Sequence, residues 1–216
     1  MIFAFDTETT GLPDFKARSA DPSQPHIVQL ALLLYDDEGN ELEHDCIIVK
    51  PQGWVIPEDM TAIHGIRHER AMDEGVPEDY AVDHFLTWQA RGSVRVAHNE
   101  SFDRRIMRIA MTRAGIERDV IEATENRAVY CTCLNATPVV NLPPTEKMIA
   151  RRMMQPKPAS LIECMKHFFN EELSGAHDAL IDARACARVY FRLQALNPVQ
   201  AAAPGPIMIN KEGVAA

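Results

Sequence analysis

The chain lacks any run of about 18 or more apolar residues, the length that a membrane-spanning helix requires. An acidic residue, Asp6, follows the first residues too soon for the apolar core of a secretory signal peptide to form. The sequence therefore predicts neither membrane insertion nor secretion. We expect a cytoplasmic protein that has no contact with a membrane.

Cysteine is also scarce, with five residues among 216. An odd number does not suit a disulfide framework, and the apolar neighbours of Cys164 and Cys186 predict reduced thiols in the core. Cys131 and Cys133 could form half of a zinc site, but no second pair stands at ligand spacing. We expect buried thiols at a strand end there.

Length and composition favour a single domain. Hydrophobic residues make up 46% of the chain, which is enough for one core, and 216 residues is slightly above the usual size of one domain. After residue 196 the sequence is rich in alanine and proline and shows no periodic pattern. We predict one domain over residues 1–196 and a flexible tail over residues 197–216.

Three separated acidic segments place carboxylates where folding alone disfavours them. The first segment, residues 5–12, reads Phe-Asp-Thr-Glu-Thr-Thr-Gly-Leu and ends an apolar strand pattern. Side chains alternate between the two faces of a strand, so Asp6 and Glu8 share a face with Ile2 and Ala4. Two carboxylates therefore project in the same direction from one strand end.

The second and third segments each place an aspartate at the head of an apolar helical stripe. In residues 98–103, Asp103 precedes a stripe formed by Ile106, Met107, Ala110 and Ala114. In residues 177–183, Asp182 precedes a stripe formed by Cys186, Val189 and Leu193. Burying a lone carboxylate costs several kcal/mol unless it is paired or binds a metal. Four convergent carboxylates would repel one another, and divalent cations relieve that repulsion. The sequence therefore predicts a site for two metal ions.

These segments resemble the DEDDh family of 3′–5′ exonucleases, which includes the proofreading subunit of the bacterial replicative DNA polymerase. The family pattern is a D-x-E strand followed by T-T-G-L, then an N-x-x-F-D segment and an H-x-x-x-x-D segment. All three stand here intact and in order. Weaker similarity lies at residues 27–31 and 63–66, so the resemblance covers roughly residues 1–195.

The resemblance implies an α/β protein with the ribonuclease-H-like fold, a mixed five-stranded sheet flanked by helices. The residue patterns agree with this fold class. They predict strands at residues 2–6, 27–35, 42–49, 94–97 and 129–132. They predict helices at residues 57–64, 79–90, 100–114 and 179–196, with several short helices between the fifth strand and residue 169.

The implied activity is that of a metal-dependent 3′–5′ exodeoxyribonuclease, which hydrolyses phosphodiester bonds at DNA 3′ ends and releases nucleoside 5′-monophosphates. Two Mg²⁺ or Mn²⁺ ions would be the cofactors, because both suit an all-oxygen site, and the reaction would follow a two-metal mechanism. The resemblance assigns these ions to Asp6, Glu8, Asp103 and Asp182. It assigns the general base to His177, which the spacing places in a loop, with Asp178 as the cap of the following helix.

Two other functions stay open at this point. A 3′–5′ exoribonuclease of the same family is one alternative, because no residue in the sequence indicates whether the 2′-hydroxyl, which distinguishes RNA from DNA, is recognised. A noncatalytic module that binds nucleic acid or a polymerase is the other, although such a module would be expected to lack a carboxylate. Neither a role in DNA replication nor one in DNA repair follows from the motifs alone.

The resemblance also places five residues beside the terminal nucleotide of the substrate: Thr9, Leu12, His64, Asn99 and Phe102. Leu12 and Phe102 offer apolar faces to a base, and Asn99 can hydrogen-bond to a sugar. Each has a simpler interpretation as well. Phe102 could pack in the core, Asn99 could serve a turn, and His64 could lie on the surface.

The net charge of −9 is unusual for a nucleic-acid enzyme, because phosphate binding relies on lysine and arginine. Local distribution matters more than the sum. One basic cluster follows Asp103 and consists of Arg104, Arg105, Arg108 and Arg113. A second consists of Lys147, Arg151, Arg152 and Lys157. Each cluster either contacts phosphates or covers a solvated helix face.

Two segments are longer than the compact family pattern. A polar, proline-bearing loop spans residues 13–25, and a stretch with five prolines spans residues 135–158. Loops of this length often carry function, so either segment could set substrate choice, although surface decoration is an equal alternative. The tail over residues 197–216 could dock a DNA polymerase, as C-terminal extensions do in relatives associated with polymerases.

Overall fold

Three apolar strand patterns near the N-terminus form an antiparallel meander, and two later strands extend it into one mixed sheet. The strands are β1 (Ile2–Thr9), β2 (Ile27–Tyr35), β3 (Glu41–Ile48), β4 (Val94–Ala97) and β5 (Val129–Cys131). Their order in the sheet is β3-β2-β1-β4-β5. This computed structural model describes residues 1–196, so the predicted tail over residues 197–216 lies outside the described part. The predicted five-stranded mixed sheet is confirmed.

The direction of the strands decides where the acidic segments meet. β1 pairs antiparallel with β2 but parallel with β4, and β4 runs parallel with β5. The carboxyl ends of β1, β4 and β5 therefore lie at the same edge of the sheet. We call this edge the acidic edge, because the first two acidic segments both leave the sheet there.

Helices cover both faces of the sheet. They are α1 (Glu58–His64), α2 (His68–Glu74), α3 (Glu78–Arg91), α4 (Glu100–Arg113), α5 (Arg118–Glu125), α6 (Thr132–Val140), α7 (Glu146–Ala150), α8 (Leu161–Phe169) and α9 (Ala179–Leu196). The short helices α2 and α5 were not predicted from the sequence. Thr132, predicted as the end of a strand, is instead the first residue of α6.

The period-two pattern of β1 separates two cores. Ile2 and Ala4 pack with α9, in a cluster that also contains Cys186, Val189 and Leu193. Phe3 and Phe5 pack on the opposite face, in a cluster that also contains Phe85, Ile106 and Met107. Burying a side chain of this size contributes roughly 1.5–3 kcal/mol, so the two helical stripes predicted from the sequence fix α4 and α9 on opposite faces.

Most of the cysteines follow the sequence analysis. All five cysteines are free thiols, and Cys133, Cys164 and Cys186 are buried. Cys131, which we expected to be buried, is half-buried, because it lies on the edge strand β5.

Within residues 1–196, none of the helices combines the length and the apolar composition that crossing a membrane would require.

Candidate active site

The end of β1 presents Asp6 and Glu8 on one face of the sheet, as the alternation of side chains requires. Both residues are half-buried. Glu8 lies opposite Gln29 of β2, and the register shifts immediately afterwards, between Glu8 and Thr9. This irregularity ends the regular pairing, so both carboxylates lie at the acidic edge.

Asp103 reaches the same edge from the other side of the sheet. It lies in the first turn of α4, which begins directly after β4, and only 2% of its surface is exposed. Its Oδ1 accepts hydrogen bonds from the amide nitrogen of Thr7, at 3.1 Å, and from the Thr7 hydroxyl, at 2.8 Å. Thr7 therefore fixes the orientation of this carboxylate from a position between Asp6 and Glu8.

Asp182 comes from the first turn of α9 and has one oxygen without a hydrogen-bond partner. Its Oδ2 accepts a hydrogen bond from the backbone N–H of His177, at 3.0 Å. Its Oδ1 is buried and has no partner among residues 1–196. Buried polar atoms are almost always satisfied, so an unpaired carboxylate oxygen here indicates a place for a cation.

The start of α9 is tied to β2 beside Glu8. Asp178 caps the helix, because its Oδ1 accepts from the N–H groups of Leu180 and Ile181, at 3.1 and 3.2 Å. Gln29 accepts from the N–H of Ala179, at 3.0 Å, and donates to Asp178, at 3.3 Å. These bonds set the position of Asp182 one turn later, and the predicted cap is confirmed.

His177 lies in an exposed loop immediately before this cap, where the spacing predicted it. Its backbone adopts the left-handed conformation, with φ of 70°. One side-chain N or O atom from each of Glu8, His177 and Asp182 lies within 4.8 Å of the corresponding atoms of the other two residues. The imidazole therefore borders the carboxylates without being packed against the core.

Burial raises the pKa of all four carboxyl groups, and the neighbouring site carboxylates add to the rise at Asp6 and Glu8. Burial, followed by the charges of Asp103 and Asp182, raises the pKa of Asp6 well above its ordinary value. Burial and the charge of Asp182 raise the pKa of Glu8 to about 8. Burial raises the pKa of Asp103 to about 7, although the bonds from Thr7 oppose the change. Without a counter-ion, the site is therefore held together against electrostatic repulsion.

The donor set fits divalent cations that prefer oxygen. Four carboxylates from β1, α4 and α9 converge, none of them forms an ion pair with a lysine or arginine among residues 1–196, and Asp182 retains a free buried oxygen. Mg²⁺ and Mn²⁺ bind such oxygen ligands readily. The residues present thus suit the predicted metals.

Two of the five residues expected beside the terminal nucleotide, His64 and Leu12, have side chains that the fold leaves available, and their contact with a nucleotide stays a prediction. His64 is 8% exposed, its Nδ1 accepts from the N–H of Ile66 at 3.1 Å, and its Nε2 is buried without a partner in the described chain. Burial and the nearby charge of His177 lower the pKa of His64. Leu12 is 87% exposed, an unusual state for a leucine that faces no partner. The surface interpretation of His64 is wrong, because the imidazole is buried at the site.

The other three residues have structural contacts that account for them. Thr9 is buried, and its hydroxyl donates to the carbonyl of Gly11, at 2.7 Å. Asn99 is exposed and adopts the left-handed conformation, with φ of 66°, which asparagine tolerates better than most residues. Phe102 is half-buried and packs against the cluster beneath α4. Their contact with a nucleotide stays a prediction.

The first basic cluster is used within the protein. Arg105 donates to the Ser19 hydroxyl, at 2.9 Å, and to the carbonyls of Asp14 and Ala17, at 3.1 and 2.6 Å. The other three arginines pair with acidic residues: Arg104 with Glu100, Arg108 with Glu125 and Arg113 with Glu78. Arg105 therefore clasps the loop over residues 13–25 to α4, two positions after Asp103.

The second basic cluster is only partly paired. Lys157 forms an ion pair with Glu163, at 2.7 Å. Lys147, Arg151 and Arg152 are exposed and form no ion pair with any residue in the described range 1–196. Three cations are thus available to a ligand on this side of the molecule.

His98 makes two side-chain hydrogen bonds that the sequence analysis did not predict. Burial lowers its pKa to about 4, so the imidazole is neutral. Its Nε2 lies 3.0 Å from the carbonyl oxygen of Ala159, which can only accept, so Nε2 carries the proton. Its Nδ1 accepts from the Thr132 hydroxyl, at 2.9 Å. His98 therefore joins the end of β4 to the segment that precedes α8.

A signal for Thr7 was present in the sequence, whereas none was available for Gln29 or Arg105. Thr7 lies between Asp6 and Glu8 on β1, and successive side chains of a strand point to opposite faces. The alternation therefore places Thr7 on the face against which α4, the helix of Asp103, packs. Gln29 and Arg105 act on residues 149 and 86 or more positions away, and no local pattern encodes such contacts.

Known proteins share sequence and structural features with this chain. The RNase_T family model, described as an exonuclease, matches residues 3–190. Exonuclease I of E. coli in complex with a dA16 oligonucleotide is similar, with 18% identity, a TM-score of 0.71, and coverage of 91% of this chain and 41% of that chain. Exonuclease I from Methylocaldum szegediense has 21% identity, a TM-score of 0.68, and coverage of 92% and 41%.

A zinc-bound complex of E. coli exonuclease I with single-stranded DNA is also similar, with 18% identity, a TM-score of 0.70, and coverage of 91% of this chain and 41% of that chain. At these identities the likeness establishes the ribonuclease-H-like fold. The chain spans less than half the length of these exonuclease I chains. Among curated proteins, no match was found.

Proposed function

The chain belongs to the DEDDh 3′–5′ exonucleases of the RNase_T family, and from this premise we propose that it removes nucleotides from the 3′ ends of single-stranded or frayed DNA. The products would be nucleoside 5′-monophosphates. The observation that carries the proposal is the convergence of Asp6, Glu8, Asp103 and Asp182 at the acidic edge, with an unpaired buried oxygen on Asp182.

The proposed cofactors are two Mg²⁺ or Mn²⁺ ions held by these four carboxylates. When bound, such ions neutralise the carboxylates and supply Lewis acidity to the phosphodiester. The protein contributes the fixed positions of the ligands. Thr7 orients Asp103 through two hydrogen bonds, and the His177 backbone orients Asp182 through one.

His177 is the proposed general base. Its exposed imidazole borders Glu8 and Asp182, so a ring nitrogen can accept a proton from the water that attacks the phosphorus. The bond between phosphorus and the 3′ oxygen then breaks, and that oxygen takes up a proton to become the new 3′-hydroxyl. The left-handed backbone of His177 keeps the side chain outside α9 and free to turn towards the water.

Two residues are proposed to position the terminal nucleotide. Leu12 presents an exposed apolar side chain beside the acidic edge, and a base can pack against it. The unpartnered Nε2 of His64 can form a hydrogen bond with the phosphate or the sugar. Both contacts would form only when substrate is present.

DNA is the favoured substrate, because the exonuclease I structures similar to this chain contain DNA oligonucleotides, dA16 and dT13 among them. The argument is one of likeness, and a preference for RNA would be the competing outcome. We further propose that residues 1–196 form the catalytic domain and that any DNA polymerase partner binds the tail over residues 197–216. Loss of co-purification with a polymerase on deleting that tail tests the second point.

The decisive experiment compares 5′-labelled single-stranded DNA and RNA of the same sequence in the presence of Mg²⁺. The protein is tested beside Asp6→Asn, which keeps the shape of a metal ligand but removes its charge. A matched control is Glu43→Asp, at a surface residue of β3 paired with Arg91. The proposal requires a DNA ladder that shortens from the 3′ end with the protein and the control, and no shortening with Asp6→Asn.

Preferential shortening of RNA would replace the proposal with the exoribonuclease alternative. Equal activity in Asp6→Asn would show that the carboxylates do not form the site. Binding of both strands without any hydrolysis would favour a noncatalytic module.

A further inference from the structure

A second feature of the chain lies outside the carboxylate site, between α6 and the segment that follows it. A cavity of about 420 Å³ is lined on one side by Leu134 of α6 and on the other by residues of the segment 147–158. We call it the α6–α7 pocket. Its volume lies within the range of roughly 300–1,000 Å³ that is usual for small-ligand sites.

The lining of the pocket combines apolar surface with cations. Met148, Met153 and Pro156 contribute apolar atoms, and Lys147 and Arg151 add two positive charges. Both cations are exposed and lack acidic partners within residues 1–196, whereas the arginines of α4 are bonded within the protein. In a chain of net charge −9, this segment is therefore a local site of uncompensated positive charge.

The pocket is linked by hydrogen bonds to the acidic edge. α6 begins directly after β5, whose carboxyl end lies at that edge. Thr137, in the pocket wall, accepts a hydrogen bond from the N–H of Ala159, at 3.1 Å. The carbonyl of Ala159 in turn accepts from His98, which stands five residues before Asp103. Pocket and carboxylates thus share one connected framework.

The walls of the pocket are held in place by specific contacts. Thr145 caps α7 by accepting from the N–H of Met148, at 3.3 Å. The N–H of Lys157 donates to the carbonyl of Leu142, at 3.2 Å, and its ammonium pairs with Glu163. The proline-rich segment therefore forms an ordered wall of the pocket.

We propose that the α6–α7 pocket holds one base of the substrate strand, upstream of the 3′ nucleotide being removed. Lys147 and Arg151 contact the flanking phosphates, and Met148, Met153 and Pro156 pack against the base. Apolar contact with a base face and charge contact with phosphates are the two features of single-strand binding, and both tolerate any sequence. This inference rests on the proposed function, since it assigns a binding subsite to the same reaction.

The first test measures binding of a long 5′-fluorescein-labelled oligothymidylate by fluorescence anisotropy over a range of salt concentrations. All proteins are full chains that also carry Asp6→Asn, so that the strand is not degraded. The double variant Lys147→Gln/Arg151→Gln should bind about tenfold more weakly. The slope of log K against log salt should become less negative by about 1.4, because each of the two lost phosphate contacts with a single strand contributes about 0.7 to its magnitude.

The matched control is the double variant Arg91→Gln/Arg118→Gln, which removes the same charge from exposed side chains. Arg91 lies at the end of α3, and Arg118 lies on α5, which packs with the core on the other face of the sheet. Its affinity and salt slope should match those of the parent. An equal loss in this control would show a general effect of net charge and would overturn the subsite.

The second test separates base contact from phosphate contact. The double variant Met148→Ser/Met153→Ser should weaken binding of the long strand about fivefold with an unchanged salt slope, because it alters no charge. None of these variants should change binding of a thymidine dinucleotide, because the inferred subsite holds a base upstream of the two terminal nucleotides. Unchanged binding of the long strand by both double variants would overturn the inference and leave the pocket to a protein partner.

The two proposals fail in distinguishable ways. Hydrolysis by the protein with wild-type Asp6 tests the proposed function and does not depend on the pocket. If hydrolysis occurs but the pocket variants bind the long strand normally, only the subsite is wrong. If hydrolysis is absent but the pocket variants lose affinity, the strand lies as inferred and the proposed reaction is wrong.

Discussion

Glu8→Gln in the metal-free protein offers a direct test of the electrostatic repulsion at the acidic edge. Glu8 is half-buried, and burial, followed by the charges of Asp182 and Asp103, raises its pKa from an ordinary value of 4.5 to about 8. Glutamine keeps the shape of the side chain and removes the ionisable group. We expect the variant to be more stable than the parent at neutral pH.

The sign and size of the effect follow from proton linkage. Below pH 4.5 the carboxyl group is protonated in both the folded and the unfolded state, so its raised pKa has no effect on stability. Between pH 4.5 and 8 the Glu8 carboxyl group is ionised in the unfolded state but still mostly protonated in the folded state. The free energy of unfolding therefore decreases as pH rises. At pH 7, which is 2.5 pH units above 4.5, the raised pKa of Glu8 lowers the free energy of unfolding by about 3 kcal/mol. Near pH 5 it lowers the free energy of unfolding by about 1 kcal/mol.

The assay is thermal unfolding followed by circular dichroism in EDTA, near pH 5 and near pH 7. For a domain of this size, about 3 kcal/mol corresponds to a rise in Tm of roughly 6–12 °C at pH 7, and the rise should shrink to a few degrees at pH 5. Glu43→Gln is the matched control. Its hydrogen bond with Arg91 lowers the pKa of Glu43, so its removal should not raise the Tm.

Added Mg²⁺ should reverse the ranking. A cation that binds only the folded state stabilises it by mass action, so the parent should gain stability and Glu8→Gln should gain less. Equal Tm values for the parent and Glu8→Gln at pH 7 in EDTA would refute the reasoning, since they would mean that this carboxylate is under no electrostatic stress.

Three further substitutions test the residues around the carboxylates. His177→Ala should lower kcat by roughly 10²–10⁴-fold, with the Mg²⁺-induced rise in Tm unchanged, and loss of that rise would assign the histidine a structural role. Thr7→Val removes the hydroxyl bond to Asp103 and should lower kcat about tenfold or more, whereas Thr7→Ser should retain activity. Arg105→Gln should speed tryptic cleavage within the 13–25 loop, and rates equal to those of Arg118→Gln would contradict the clasp.

Most of the site could be predicted because its residues follow local periods. Asp6 and Glu8 lie on one face through the alternation of a strand, and Asp103 and Asp182 lead helical stripes that the structure buries. β1, β2, β4 and β5 were predictable for a similar reason, since each carries apolar residues in a strand pattern, whereas the first four residues of β3 are exposed. Periodicity is a property of neighbouring residues, and a sequence displays it directly.

The unpredicted features depend on contacts between distant residues or on very little burial. α2 buries only Ala71 within its seven residues, and α5 buries only Ile121 and Thr124 within its eight, so neither carries an apolar stripe long enough to predict a helix. The bond from Thr7 to Asp103 spans 96 positions. It requires β4 to run parallel to β1, so that α4 starts at the acidic edge, and this arrangement is fixed by the sheet as a whole.

The acidic composition and the binding of a polyanion are compatible once the charges are located. Four of the acidic residues form the site, and two divalent ions would offset them, so a net charge of −9 becomes −5 on adding +4. The arginines of α4 bond within the protein, so they contribute little to attracting a strand. Lys147, Arg151 and Arg152 are exposed cations that form no ion pair among residues 1–196, so they are available to a strand.

Few phosphate contacts imply a weak dependence of affinity on salt. With these three cations in contact, the slope of log K against log salt for single-stranded DNA should be about −2, because each contact contributes about 0.7. Titration of a labelled oligonucleotide into Asp6→Asn protein at several salt concentrations measures that slope. A much steeper slope would mean that further cations contact the strand, either exposed ones such as Lys16 and Arg18 of the 13–25 loop or arginines of α4 that release their internal partners.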